Sequence, residues 1–347
     1  MNIYIRADAS TEIGSGHVMR CLTLAEALQS FGWKVTFICR RLNGDLCEFI
    51  EQKGMKVHKL AWTDGASWEA DVEQTKCYLM KERKPINLLI IDHYSLDIRY
   101  ESSFRNIVQK IMVIDDLANR EHDCDILLDQ NLYLDKESRY DDLIPSHCKT
   151  FLGPKFILLN KQFKRIKRRK RDGQVKRLNI CFGGSDLSNE TRKTIEAFLL
   201  LNRSDIEVDV VVGMNHPFKE EIQKLCQHYH FLHFYCQIDH MATVLNEADL
   251  AVGAGGATTW ERCYVGLPSI VISIAENQKI IAETLGKLNV TTYLGSCEAV
   301  GKELICHTLE RLLNNAQELV HMSQSSIKLV ETNHDIIQHI VHEITFE

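Results

Sequence analysis

Short apolar runs alternate with amphipathic stretches along this chain, and midway the alternation starts over. Runs at residues 2–8, 34–39, 57–60, 88–92, 110–115 and 125–128 read as strands, separated by helical patterns such as 69–82. Near-continuous apolar strands joined by helices predict a parallel sheet covered on both faces. Ligands of such sheets sit at the carboxyl ends of the strands. Three polar clusters fall there: Asp8 onward, Asp92-His93-Tyr94 and Asp115-Asp116.

A second series of strands is predicted at 178–182, 208–212, 231–234, 250–252, 269–273 and 291–294, with helices at 189–201 and 241–248. The chain thus reads as two similar α/β halves in tandem, as its 347 residues allow, since single cores stop growing near ~250–300 residues. Between them, residues 161–177 hold ten basic side chains and one acidic one, Asp172. We expect a solvated connector there, an N-terminal domain over 1–165 and a C-terminal domain over 175–347. Everything after Gly301 reads as helix, and these last helices are expected to pack back on the N-terminal domain.

The chemistry is expected in the stretch RADASTEIGSGHVMRCLTLA, residues 6–25, where the first strand runs through a loop into a helix. Gly14 and Gly16 allow backbone to approach a ligand. His17 falls in the first turn of that helix, where the dipole favours a neutral, proton-accepting imidazole. Asp8 at the strand end and Arg20 one turn along give it polar company. His17 is therefore the candidate general base.

Two glycine turns mark the second half, each between a strand and a helix: Gly183-Gly184-Ser185-Asp186, and Gly253-Ala254-Gly255-Gly256-Ala257-Thr258-Thr259. Unpaired amides at such turns suit anions, and two together suit a diphosphate. Gly184, Ser185, Gly255, Gly256, Thr258 and Thr259 are the candidates. Glu261 follows the second turn; it would accept the hydroxyls of a ribose, or it is simply a carboxylate favoured by the helix dipole. Glu276-Asn277-Gln278 stand at a later strand end, where capping by Asn277 competes with substrate binding.

Other readings are weaker. Gly14-x-Gly16 begins a dinucleotide fingerprint, but Met19 stands at the third glycine and the second strand ends in Cys39-Arg40-Arg41 without a carboxylate. The twelve cysteines form no Cys-x-x-Cys pair, and residues such as Cys21, Cys39, Cys181 and Cys263 lie within apolar runs, as reduced thiols would. His334, His339 and His342 lack companion ligands and read as surface residues. A net charge of −6 gives no general attraction to nucleic acid. No run reaches the ~20 apolar residues of a membrane span and no signal peptide is visible, so a cytoplasmic protein without membrane insertion is expected.

The stretch at 6–25, IIDHY at 90–94 and GAGGATTWERCYVGLP followed by AENQ resemble the family of UDP-sugar hydrolases of pseudaminic acid biosynthesis (PseG), over residues 1 to about 295. That resemblance implies a GT-B fold, two Rossmann-like domains facing each other across a cleft, similar to the peptidoglycan N-acetylglucosaminyltransferase. It implies no metal and no cofactor. The implied reaction removes UDP from UDP-2,4-diacetamido-2,4,6-trideoxy-β-L-altropyranose by water attack at the anomeric carbon, with inversion. His17 would be the base, Tyr94 and Asn277 further active-site residues, and Glu261 the ribose ligand; Gln278 lies in the same AENQ block. His240 stands where the family often has Asn. A glycosyltransferase using a UDP-sugar donor, or a UDP-sugar binder without turnover, are the alternatives. The stereochemistry of the sugar and the oligomeric state are not legible in these motifs.

Overall fold

The computed structural model describes residues 1–62, 67–82, 84–184, 186–330 and 336–345. Two compact units divide it. One comprises Met1–Leu158 with the C-terminal segment from Asn333, the other Leu159–Thr332.

The first unit is a seven-stranded, all-parallel sheet: β1 (Asn2–Ala7), β2 (Lys34–Arg40), β3 (Lys56–Leu60), β4 (Ile86–Asp92), β5 (Val108–Ile114), β6 (Ile126–Asp129) and β7 (Lys149–Leu152), in the order β3-β2-β1-β4-β5-β6-β7. Successive residues of β1 serve opposite faces. Ile3, Ile5 and Ala7 join the core under the helix Gly16–Ser30, while Tyr4 joins Leu89, Ile91 and Tyr100 on the other side. Burial on both faces is why the inner strands read as nearly unbroken apolar runs, while the edge strands β3 and β7 are partly exposed. The short β7 escaped the sequence reading, because four residues, two of them exposed, carry too little pattern.

The helix Gly16–Ser30 buries Val18, Cys21, Leu22, Ala25 and Leu28, the stripe its spacing predicts, together with His17, Arg20 and Leu24. Against the same core lies the last helix, Ile336–Thr345, through buried Ile336, Ile337 and Ile340. Chain reversal of order occurs between β1 and β4: β2 lies on one side of β1, and β4 on the other. The crevice at the carboxyl ends of such a pair is where α/β sheets place ligands.

The second unit repeats the plan with six parallel strands: β8 (Arg177–Cys181), β9 (Glu207–Val212), β10 (Leu232–Cys236), β11 (Leu250–Ala254), β12 (Ser269–Ser273) and β13 (Thr292–Ser296), ordered β10-β9-β8-β11-β12-β13. Its switch point falls between β8 and β11. Those two strands approach so closely that a Cβ on Gly253 would stand 2.3 Å from the carbonyl oxygen of Cys181. Only glycine fits there.

Most of the basic stretch is solvated, as its composition predicts: Lys161, Lys164, Arg165, Lys167, Arg168, Arg169, Lys170 and Lys176 are exposed, and the stretch lies in the second unit, which begins at Leu159. Arg171 is buried, donating to the carbonyls of Leu245, Asn246, Ala248 and Val265, and burial lowers its pKa to about 9. It thereby satisfies the loose carbonyl ends of the helices Met241–Glu247 and Thr258–Tyr264. A charge chosen for solvent would not be sunk among carbonyls. All twelve cysteines are free, with Cys21, Cys39, Cys181 and Cys263 buried. His339 and His342 are exposed, and His334 lies outside the described residues.

Candidate active site

At the carboxyl ends of β1, β4 and β5, polar side chains gather beneath the start of the helix Gly16–Ser30. The connecting turn is held by Ser10: its carbonyl accepts from Gly14 N at 2.9 Å and its hydroxyl from Ile13 N at 2.9 Å. Gly14 has φ +81°, a left-handed conformation that costs a residue with a Cβ about 1–2 kcal/mol. Gly16 differs: its φ is ordinary, and an added Cβ would meet nothing within 4 Å. Its lack of a side chain serves neither the turn nor the packing.

His17 is only 6% exposed, and its Nδ1 lies 3.6 Å from Asp92 Oδ1. That nitrogen is buried and makes no hydrogen bond among the described residues. Asp92 in turn receives Arg20 Nε and Nη2 at 2.6 Å each, and the Cys21 thiol at 3.4 Å. Burial alone would raise the Asp92 pKa, but Arg20 and then His17 hold it below the ordinary carboxylate value, so it is charged. Burial lowers the pKa of His17; Asp92 and Asp116 oppose the shift, and Arg20 reinforces it. The imidazole is accordingly neutral at neutral pH. The Tyr94 ring packs edge-on against it, centroids 4.3 Å apart. Burial, then the neighbouring Asp116, push the Tyr94 hydroxyl's pKa up, so it stays protonated.

Asp8, expected to face a ligand, is fully buried instead. Its carboxylate takes Arg6 Nη1 and Nη2 at 2.6 and 2.8 Å, the Arg40 amide at 2.8 Å, and lies 3.3 Å from His93 Nε2. Arg6 and Arg40 also share Asp71, which accepts from the Tyr100 hydroxyl at 2.9 Å. A buried charge needs partners, and here Arg6, Arg40 and His93 provide them. Asp8 therefore ties the sheet end together. Asp71 and Arg40 were absent from the sequence candidates. Asp71 did leave a trace, since it precedes Val72 on the buried face of the helix Trp68–Leu79, where a carboxylate calls for an explanation.

In the second unit the two glycine turns differ. Asp186 receives the amides of Glu190 and Thr191 at 2.9 and 2.7 Å and the Thr191 hydroxyl at 2.7 Å. The helix-start amides of Glu190 and Thr191 after the first turn are thus taken by the chain's own carboxylate. Gly184 packs against Gly213, whose Cβ would come within 2.6 Å of it. Ser185 lies outside the described residues.

The second turn stays open in part. The Gly255 amide is taken by Gln278 Oε1 at 3.2 Å, and the same oxygen accepts from Ile274 N at 3.1 Å. Gln278 therefore braces the turn against the end of β12. Gly256, Ala257 and Thr258 amides have no acceptor among the described residues. Thr259 is buried, with its hydroxyl donating to Ala254 O at 3.3 Å and accepting from Arg262 Nη2 at 3.1 Å; Thr258 is half-buried and accepts from Arg262 Nη1 at 3.4 Å. Arg262, itself buried, is what sets the shape of the turn.

Glu261 is half-buried, and among the described residues no hydrogen bond or ion pair engages its carboxylate. Burial raises its pKa to about 7, with the neighbouring Arg262 opposing. Asn277 is half-buried at the second position of the helix Glu276–Lys287; the cap position belongs to Ala275, so the capping role is not realised. No group of three His, Cys, Asp or Glu among the described residues could hold a metal ion, and no described helix is long and apolar enough to cross a membrane.

Residues 179–340 match the glycosyltransferase family 28 C-terminal domain. The uncharacterized protein MJ1062 of Methanocaldococcus jannaschii is 29% identical over 80% of this chain, which spans only 57% of that protein's length. A UDP-2,4-diacetamido-2,4,6-trideoxy-beta-L-altropyranose hydrolase of Campylobacter jejuni is 27% identical over 83% of this chain and 97% of its own. The crystal structure of Acinetobacter baumannii MurG superposes with a TM-score of 0.66 at 16% identity, covering 100% of this chain and 99% of the other. With two parallel-sheet α/β domains and these likenesses, the chain has the GT-B fold, and its second unit is similar to the C-terminal domain of family 28 glycosyltransferases.

Proposed function

We propose that the protein hydrolyses a UDP-sugar to UDP and free sugar, with UDP-2,4-diacetamido-2,4,6-trideoxy-β-L-altropyranose as substrate, in pseudaminic acid biosynthesis. One observation carries the reading: a buried, neutral His17 backed by a carboxylate whose charge Arg20 fixes. A neutral imidazole can take a proton from water as that water attacks the anomeric carbon. The bond between that carbon and the phosphate oxygen breaks, and UDP departs with the electron pair. Asp92 then stabilises the imidazolium formed. The similarity to the Campylobacter hydrolase across most of both chains supports the same assignment.

The second unit supplies the nucleotide side of this reading. Amides of Gly256, Ala257 and Thr258 are available to phosphate oxygens, and the unengaged Glu261 to the ribose hydroxyls. Developing charge on the leaving diphosphate would be met by fixed dipoles. Asn277 and Tyr94 are assigned to the sugar.

The test is turnover in ¹⁸O-labelled water with no acceptor present. Label in the released sugar is expected; label in UDP would mean attack at phosphorus. His17→Ala should bind UDP yet lose on the order of 10²–10⁴ in rate. Sugar released only when an acceptor is added would favour a glycosyltransferase, the reading that the family 28 match supports. An intact UDP-sugar under all conditions would leave a binding protein.

A further inference from the structure

We propose that Asp116 is a positioning residue for this reaction, one carboxylate that fixes both the Tyr94 hydroxyl and the Arg20 guanidinium. The kinetic part of the inference rests on the UDP-sugar reading above; the geometric part does not. Tyr94 lies two residues beyond the end of β4, and Asp116 two residues beyond the end of its neighbour β5. Adjacent parallel strands of matched length place the two side by side.

Oδ2 of Asp116 accepts from Arg20 Nη1 at 3.1 Å and from the Tyr94 hydroxyl at 3.4 Å. Arg20 has already given Nε and Nη2 to Asp92, so its fork is held between the ends of β4 and β5. The main chain under Asp116 is fixed as well. Its carbonyl accepts from the Tyr133 hydroxyl at 2.7 Å and Arg139 Nη2 at 3.1 Å, and the Arg139 guanidinium lies over the Tyr133 ring. Asp116 is 7% exposed, and its Oδ1 is buried without a hydrogen-bond partner among the described residues. Such an oxygen is costly to keep, which a purely structural ion pair would not explain.

The consequence reaches His17 by two routes. The Tyr94 ring, set by its hydroxyl's bond to Asp116, forms one wall against the imidazole. The charges facing His17 are those of Asp92, Arg20, Asp116 and Asp8. Without the charge on Asp116, Arg20 weighs more heavily against a protonated His17.

Asp116→Asn keeps the shape and removes the charge. We expect kcat to fall roughly 10- to 100-fold with KM little changed, the pattern of misplaced catalytic groups. The His17 ring, followed by NMR without substrate, should titrate at lower pH than in the parent protein. Because the two act as one unit, Asp116→Asn with Tyr94→Phe should lose little more than either alone. Unchanged His17 titration together with additive losses would overturn the proposal. If the parent protein turns over no UDP-sugar, the functional reading fails and the His17 titration alone decides the role of Asp116. Should Asp116→Asn not fold, Tyr94→Phe removes the other half of the contact, and an unaltered kcat there would overturn the proposal equally.

Discussion

Arg20 donates to both oxygens of Asp92 at 2.6 Å, joining the first turns of a helix to a strand end 72 residues away. Both side chains are at least nine-tenths buried. Removing one partner of such a pair leaves an uncompensated charge, at a cost of about 3–5 kcal/mol. Arg20→Met is expected to destabilise the first unit by that order in urea unfolding at pH 7. The sign of the pH dependence is diagnostic. In the parent protein the Asp92 pKa is depressed, so its stabilising contribution is present at neutral pH and is lost as pH falls below the ordinary carboxylate value. In the variant, burial without Arg20 favours the protonated acid, so the stability gap should narrow as pH is lowered from 7 to 5. A constant gap would mean that Asp92 finds another cation.

His17 makes a second pH prediction. Its folded-state pKa lies below about 6.5 because burial disfavours the imidazolium. A depressed histidine contributes stability fully above its unfolded pKa and loses it as pH falls toward the folded value. In kinetics the same shift appears as an acid limb in kcat/KM with an apparent pKa below about 6.5. Asp92→Asn should move that limb further down, since the carboxylate is the largest influence opposing the shift. An acid limb above neutrality would point to another group as the base.

Much of the fold could be read from the chain, and the reason is physical. Parallel strands buried on both faces advertise themselves as apolar runs, and twelve of the thirteen described strands were anticipated within a few residues. Asp8 and Arg171 show where such reading stops. Asp8 sits at a strand end, as ligand-facing carboxylates do, but Asp71 and Arg40, the groups around it, are 63 and 32 residues further along, and no local pattern announces them. Arg171 stands in a basic run whose composition argues for solvent, yet its neighbours are carbonyls 74 to 94 residues away. Charge composition reports an average, while burial is decided residue by residue. The helix start after the first glycine turn shows a local limit of the same reading: Asp186 turns back onto the amides of Glu190 and Thr191, a use of Asp that competes directly with an external anion at those amides.

Glu261 gives a test of the nucleotide side. Its pKa is raised to about 7 by burial, above an unfolded value near 4.5, so its ionisation costs stability as pH rises through that interval. If it accepts ribose hydroxyls as a carboxylate, UDP binding should favour the ionised form and release a proton near neutrality. Calorimetry in two buffers of different ionisation heat would show that release in the parent protein. Glu261→Gln should abolish it and weaken UDP binding at pH 8 more than at pH 6. Equal proton release by the variant would remove Glu261 from the ribose.

Gly16 separates a structural requirement from a functional one. It opens a helix, its φ is not left-handed, and a Cβ there would meet no atom within 4 Å. Gly16→Ala should therefore leave stability unchanged or raise it by about 0.4–1 kcal/mol, through the smaller entropy of the unfolded chain. The open space next to His17 is where the reading places sugar and water, so the same methyl should lower kcat/KM with the UDP-sugar. Gly253→Ala is the opposite case. Its methyl would strike the Cys181 carbonyl and the Arg262 guanidinium, and overpacking against backbone should cost at least about 1–3 kcal/mol in denaturant unfolding. A variant at Gly16 that is more stable yet slower fits a glycine kept for its ligand. A variant that is as active as the parent would show that no substrate atom approaches the backbone at that point.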